Sequence, residues 1–313
     1  MSDRAAGVAC LLALLAGPIA ARQTQAPVFR DGTRTVSIYA TVQEDDRLVT
    51  GLPRELFEVL DNGRPQPITL FDNGVQPISV VVMLDLSGSM LGNLALVRNA
   101  AVQMFTRLLP GDRARVGSFG DRITISPVFT NDQDELIRAL WLDLPAGGAT
   151  PLWAAINQAM SALAPLEGRR VVLVLSDGRD SGRMGTLGAG RMPVTLEEIL
   201  LRAQEDQFIV YAIGMRSYSV VRRPGRPPPP RSEPDPGLRA LAAESGGGYV
   251  ELDETIALGP AFARVADELH RQYLVGYVLP EADGKPHEVE VRVNRPGLTV
   301  RARRSYVAPR GGR

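Results

Sequence analysis

The order of apolar and polar positions divides the chain into a central part and two flanks. Residues 28–75 alternate polar and apolar positions, which predicts half-exposed β-strands. Over residues 76–272, apolar runs alternate with helical patterns, which predicts a mainly parallel sheet covered by helices. The two-residue alternation returns over 273–303, and residues 304–313 form a basic tail. The predicted organisation is therefore an N-terminal β segment, an α/β domain, a C-terminal β segment and a tail.

Two runs in the central part lack polar alternation, as strands buried on both faces do. They are Ile78–Leu84 and Arg170–Leu175. A tight hairpin through Gly120-Asp121 requires one antiparallel strand beside them. The predicted fold class is α/β, with a mostly parallel sheet that includes one antiparallel strand. Since each flank is short of a complete sheet, we expect the flanks to pair into a small β-sandwich with the α/β domain inserted between them.

Composition excludes several classes of protein. The 313 residues have a formal net charge of zero, so bulk charge gives no argument for binding nucleic acid. The chain has one cysteine, Cys10, and two histidines, His270 and His287. A zinc site of cysteine and histidine ligands and a histidine-based catalytic triad are therefore not expected.

The N-terminus carries an apolar run that is short for a membrane span. Ala5–Ala21 follows Arg4 and precedes polar residues, which predicts a signal peptide over residues 1–21. An uncleaved membrane anchor is the alternative. We therefore expect a secreted protein, or one in the periplasm or cell envelope, that meets a membrane only if this segment is retained.

Polar side chains follow the two buried strands and a Gly-Gly loop. Because the carboxyl ends of parallel strands meet at one edge of a sheet, these side chains are expected to lie together. Carboxylate and hydroxyl oxygens suit Mg²⁺, with Mn²⁺ or Ca²⁺ also possible. Helix capping is the alternative role for Ser89 and Thr150. We call these five residues the candidate ligands: Asp85, Ser87, Ser89, Thr150 and Asp177.

Three stretches resemble one known family. The sequences ISVVVMLDLSGSM, GGATPLW and VVLVLSDGRD, in this order, resemble the von Willebrand factor A domain with its metal-ion-dependent adhesion site. The resemblance implies that the hydroxyls of the candidate ligands contact the metal directly and that the aspartates often act through water. It also implies a doubly wound, mostly parallel sheet with one antiparallel edge strand, and a partner carboxylate that completes the metal shell. The flanks resemble VWFA-related proteins of Acidobacteria, a group from which no function carries over.

The expected function is a metal-dependent protein-binding module for adhesion or scaffolding, and not an enzyme. Beside the predicted metal, the sequence offers no general base other than the two aspartates, which argues against the alternative of a metal-dependent hydrolase. A further alternative is an accessory partner of an AAA-type ATPase, as in chelatase-like systems inside cells. The predicted signal peptide argues against that role.

Two long loops leave the carboxyl ends of strands, so we expect both to border the metal site. They span residues 179–193 and 216–236. One hypothesis is a cationic collar that attracts a partner with an acidic surface. The alternative is that these are ordinary solvated arginines. The loops carry Arg179, Arg183, Arg191, Arg216, Arg222, Arg223, Arg226 and Arg231.

Overall fold

The computed structural model describes residues 34–142, 144, 146–182, 193–216, 233–253 and 255–310. The predicted signal peptide lies outside these residues. In the part of the chain that the structure describes, no helix has the length and apolar character needed to cross a membrane.

Most of the regular structure in the described residues is strand. The strands are β1 (Thr35–Glu44), β2 (Arg47–Leu48), β3 (Phe57–Asp61), β4 (Arg64–Gln66), β5 (Ile68–Asp72), β6 (Ile78–Asp85), β7 (Arg113–Phe119), β8 (Thr124–Ile125), β9 (Arg169–Ser176), β10 (Ile209–Met215), β11 (Tyr249–Leu252), β12 (Tyr273–Val278), β13 (Pro286–Val293), β14 (Thr299–Arg301) and β15 (Ser305–Val307). The helices are α1 (Leu94–Phe105), α2 (Gln133–Leu142), α3 (Leu152–Leu163), α4 (Leu196–Glu205), α5 (Pro236–Ser245) and α6 (Leu258–Leu269).

The central sheet has the topology predicted from the apolar runs. Its order is β11-β10-β9-β6-β7-β8. Neighbouring strands are parallel except for β8, which pairs antiparallel with β7 at the edge. The two strands without polar alternation, β6 and β9, lie side by side at the centre. The predicted doubly wound sheet with one antiparallel edge strand is therefore confirmed.

A separate apolar core lies on each face of this sheet. On one face, the inward residues of β6 and β9 pack with α1 and α6. On the other face, the alternate residues of the same strands pack with α3 and with residues of α4 and α5. Burial on both faces explains why these strands read as continuous apolar runs.

The flanking strands form two antiparallel sheets around a third core. One sheet has the order β14-β1-β12-β5, with β2 beside β1, and the other has the order β15-β13-β3-β4. Each sheet combines strands from both flanks, which confirms the predicted sandwich. The N-terminal flank is not an antiparallel unit of its own: β5 pairs with β12 rather than with its sequence neighbours. The hairpin through Asn62 joins only β3 and β4.

The predicted basic tail contains a strand, β15, that the sequence pattern did not indicate. β15 pairs antiparallel with β13, and Tyr306 and Ala308 are buried in the sandwich core. The apolar alternation of this strand is short and lies among arginines, so it is not recognisable as a strand from the sequence. Arg303, at the predicted end of the C-terminal β segment, is itself buried. Residues 311–313 lie outside the described part of the chain.

Candidate metal site

Three loops meet at the carboxyl end of the central sheet. The loop after β6 continues into a 3-10 turn, Gly88–Asn93. Gly88 donates its N–H to Gly148 O over 3.2 Å, which ties this turn to the loop before α3. Ser181 donates its N–H to Thr150 O over 2.9 Å, which ties the same loop to the one after β9. The predicted meeting of the three loops is therefore present in the structure.

The Gly-Gly loop requires glycine at its second position. Gly148 has φ +80°, a backbone region that disfavours residues with a side chain. A Cβ there would lie 2.6 Å from both the N and the Cα of Asp121. Glycine thus lets the loop before Thr150 pack directly against the turn after β7.

Asp85 is fully buried at the end of β6, and both of its carboxylate oxygens accept hydrogen bonds. The backbone N–H of Ser87 donates to Oδ1 over 2.9 Å. The hydroxyl of Ser176 donates to Oδ2 over 2.5 Å. Ser176 is not among the residues predicted from the sequence. Its only signal was a hydroxyl directly before Asp177 at the end of a buried strand.

The Ser89 side chain lies within hydrogen-bond distance of both Ser87 and Asp177. Ser89 Oγ donates to Asp177 Oδ1 over 2.8 Å and lies 3.3 Å from Ser87 Oγ. Neither serine caps a helix with its side chain: the 3-10 turn and α1 have no side-chain cap hydrogen bond. The capping alternative for Ser89 is therefore wrong.

Thr150 is half-buried at the start of α3 and does not cap that helix with its side chain. Its Oγ1 faces the loop after β9, because a Cβ built on Gly178 would lie 3.3 Å from this oxygen. Trp153, one turn further on, is buried in the core. Asp180 accepts from the N–H of Trp153 over 3.3 Å, so it orders the loop.

The electrostatics of the site favour a cation. Burial, and next the nearby Asp177 carboxylate, raise the pKa of Asp85 to about 7, although hydrogen bonds from Ser176 and Ser87 act in the opposite direction. A divalent cation would offset both the burial of these carboxylates and their mutual repulsion. The donor set consists only of carboxylate and hydroxyl oxygens, which suits a hard cation. The candidate ligands thus fit the metal that the resemblance implies.

Hydroxyl oxygens, rather than acidic, histidine and cysteine side chains alone, make up most of the candidate site. Within the described residues, no group of three or more such side chains could hold a metal ion. The candidate site has two carboxylates, and its other oxygens come from hydroxyls. Both histidines are engaged elsewhere: His270 Nε2 lies 2.7 Å from Asp112 Oδ2, and His287 Nδ1 lies 2.7 Å from Asp61 Oδ1.

Two of the eight arginines of the predicted cationic collar lie in the described part of the chain, and both have acidic neighbours. Arg179 Nη2 is 3.8 Å from Glu233 Oε2. Arg216 lies 2.6 Å from Glu251 and 3.0 Å from Asp253. The other six collar arginines lie outside the described residues: Arg183, Arg191, Arg222, Arg223, Arg226 and Arg231.

Comparison with protein families gives one match. The family model described as von Willebrand factor type A domain matches residues 79–255, more than half of the chain. No curated protein matches the sequence. The resemblance of the flanks to proteins of Acidobacteria finds no support in these comparisons.

Several solved structures are similar to this chain at low sequence identity. BatB from Bacteroides thetaiotaomicron is 20% identical, with 61% of this chain and 98% of that chain covered and a TM-score of 0.44. A von Willebrand factor type A protein from Catenulispora acidiphila is 12% identical, with 89% and 75% covered and a TM-score of 0.47. Proximal thread matrix protein 1 from the mussel byssus, in a structure with a zinc-occupied MIDAS motif, is 16% identical, with 68% and 50% covered and a TM-score of 0.49.

Proposed function

Because this chain belongs to the von Willebrand factor type A domain family, we propose that it is a metal-dependent protein-binding module. The five candidate ligands hold one divalent cation at the carboxyl end of the central sheet. The cation supplies a positive centre for a carboxylate of a partner protein. Domains of this family are generally protein-interaction modules.

One observation carries the proposal. Three loops that are distant in sequence bring two buried carboxylates and three hydroxyls to one place. The serine and threonine side chains there are not used as helix caps, although capping is the common role of such residues. A cation accounts for both features, since it offsets the buried negative charge and accepts the hydroxyl oxygens as ligands.

We propose Mg²⁺ as the ion, with Mn²⁺ or Ca²⁺ as substitutes. Zinc is disfavoured here because its usual nitrogen and sulfur ligands are missing from the candidate set. The resemblance implies direct contacts from the hydroxyl oxygens and contacts through water from the aspartates. Asp85 is in keeping with this division, since both of its oxygens already accept hydrogen bonds from the protein.

A binding role fits the described residues better than a hydrolytic one. Both histidines are held by carboxylates outside the site, and Asp85 and Asp177 are buried. A hydrolase would need a further group positioned to activate water. The proposed place of action is outside the cytoplasm, and it depends on the predicted signal peptide.

Affinity capture tests the proposed function. The immobilised protein is mixed with cell-envelope extract in Mg²⁺ or in EDTA, and an Asp85→Ala variant is treated in parallel. We expect a partner that the wild type retains in Mg²⁺, that EDTA releases, and that Asp85→Ala does not retain. Asp132→Ala is the matched control, because Asp132 accepts from the first N–H groups of α2 away from the site.

A second arm tests the partner's chemistry. Carboxylates of the isolated partner are converted to amides with a carbodiimide and glycinamide before it is offered again. Binding should be lost after this treatment. Capture that survives EDTA, or that Asp85→Ala retains, would contradict the proposal.

A further inference from the structure

A serine that the sequence analysis did not select lies beside the candidate ligands. Ser176 is the last residue of β9 and is fully buried. The neighbouring strand β6 ends in Asp85, and Leu84 lies opposite Leu175 in the parallel register. The two strand ends are therefore adjacent where the loops of the site begin.

The hydroxyl of Ser176 completes the hydrogen bonding of Asp85. Ser176 Oγ donates to Asp85 Oδ2 over 2.5 Å, while the N–H of Ser87 donates to Oδ1 over 2.9 Å. With one donor on each oxygen, the carboxylate cannot rotate without breaking a buried hydrogen bond. Leaving a buried carboxylate oxygen without its donor costs free energy, so the orientation is held.

The same hydroxyl also holds the turn that carries Asp177. Gly178 donates its N–H to Ser176 Oγ over 3.3 Å. A serine hydroxyl has one proton and two lone pairs, so it can donate to Asp85 and accept from Gly178 together. Ser176 thereby links both acidic candidate ligands, which come from different strands.

We infer that Ser176 is a positioning residue of the metal site, and this inference rests on the proposed function. It fixes the Asp85 carboxylate and the Asp177 turn before the cation binds. Pre-ordering of this kind raises affinity because the ligands need not be arranged on binding. Loss of such a supporting hydrogen bond typically weakens metal binding by about 10- to 100-fold.

Calorimetric titration with Mg²⁺ and with Mn²⁺ tests the inference. Ser176→Ala should weaken binding of both ions by about 10- to 100-fold. Ser176→Thr keeps the hydroxyl and should restore most of the affinity, whereas Ser176→Val has the shape of threonine without the hydroxyl and should not. Ser118→Ala is the matched control, since Ser118 is equally buried near the end of β7 and lies 3.1 Å from Thr124 Oγ1.

The outcomes separate this inference from the proposed function. If the wild type binds neither ion, the proposed function fails and the inference falls with it. If the wild type binds but Ser176→Ala or Ser176→Val binds equally well, the inference is wrong and the proposed function stands. Unfolding experiments in EDTA identify variants that fail to fold. If Ser176→Ala is one of them, the ion affinities of Ser176→Thr and Ser176→Val decide whether the hydroxyl is needed. A purely structural serine would change unfolding without changing ion affinity.

Discussion

At the scale of single residues, the site contains two buried carboxylates whose mutual repulsion a cation would offset. Asp85 and Asp177 are both fully buried, and the second helps to raise the pKa of the first to about 7. In the absence of a metal, the burial and mutual repulsion of these carboxylates lower the stability of the fold. The candidate ligands therefore oppose stability until the ion binds.

Replacing Asp85 by asparagine separates these two effects. Asp85→Asn keeps the shape and removes one of the buried charges. In EDTA the variant should be at least as stable as the wild type, because the repulsion with Asp177 is gone. In Mg²⁺ it should lack the stabilisation that the wild type gains from the ion. Thermal unfolding with and without Mg²⁺ measures the stability of both proteins under both conditions. If Mg²⁺ stabilised the wild type and Asp85→Asn equally, the proposed site would be contradicted.

His287 in the sandwich should make the stability of the fold depend on pH. Burial by itself would lower the pKa of His287, but hydrogen bonds to Asp61 and Asp283 leave this pKa above its ordinary value of 6.5. Because the folded-state pKa is raised, the stabilisation is fully present below about pH 6.5. It is lost as the pH rises through the folded-state pKa.

Urea unfolding from pH 5.5 to 9 checks this dependence. The difference in unfolding free energy between the wild type and His287→Gln should be largest at the acidic end and should shrink as the pH rises. If the difference in unfolding free energy grew with pH, the stabilisation by protonated His287 would be contradicted.

At the scale of elements, one glycine lets α5 end against the sandwich. Gly246 follows α5 with φ +81°. A Cβ on it would lie against the backbone nitrogen of Arg303 and 2.9 Å from the carbonyl carbon of Ala302. The structure shows that the same glycine also allows the chain between β14 and β15 to approach.

A pair of alanine variants distinguishes these two roles. Gly168 has the same φ of +81° but has no atom within 4 Å of an added Cβ. Gly168→Ala should therefore cost only the left-handed backbone penalty, about 1–2 kcal/mol. Gly246→Ala should cost about 1–3 kcal/mol more, because backbone atoms must move. Equal losses in chemical unfolding would contradict the packing role of Gly246.

At the scale of the whole molecule, a buried polar network joins the sandwich to the α/β domain. Glu268 on α6 accepts hydrogen bonds from Thr41 on β1 over 3.0 Å and from Tyr211 on β10 over 2.5 Å. Arg301, from the end of β14, also bonds to Glu268. The described residues from Arg34 to Arg310 accordingly belong to one compact unit. We expect this unit to unfold in a single transition.

Fluorescence and circular dichroism can test that cooperativity. Both tryptophans, Trp141 and Trp153, lie in the α/β domain, whereas circular dichroism follows all strands and helices. In the wild type the two signals should change together. Glu268→Ala removes the hydrogen-bond acceptor of the buried Tyr211 hydroxyl and the partner of the half-buried Arg301. It should therefore cost about 1–3 kcal/mol and separate the transitions. Non-coincident transitions in the wild type would show that the domains unfold independently.

The sequence predicted elements better than the pairings between distant elements. The apolar strands β6 and β9 were evident from local patterns, and both are present. Local patterns could not show that β5 joins β12, because that pairing spans about two hundred residues of chain. Ser176 was missed for a similar reason: its role depends on a partner in another strand.

We propose that three loops hold one divalent cation. A crystal grown with Mn²⁺, recorded at a wavelength where manganese scatters anomalously, locates the ion directly. We expect a single anomalous peak bounded by the hydroxyl oxygens of Ser87, Ser89 and Thr150, and no such peak in crystals of Asp85→Ala. A peak elsewhere, or none beside these hydroxyls at saturating Mn²⁺, would contradict the claim.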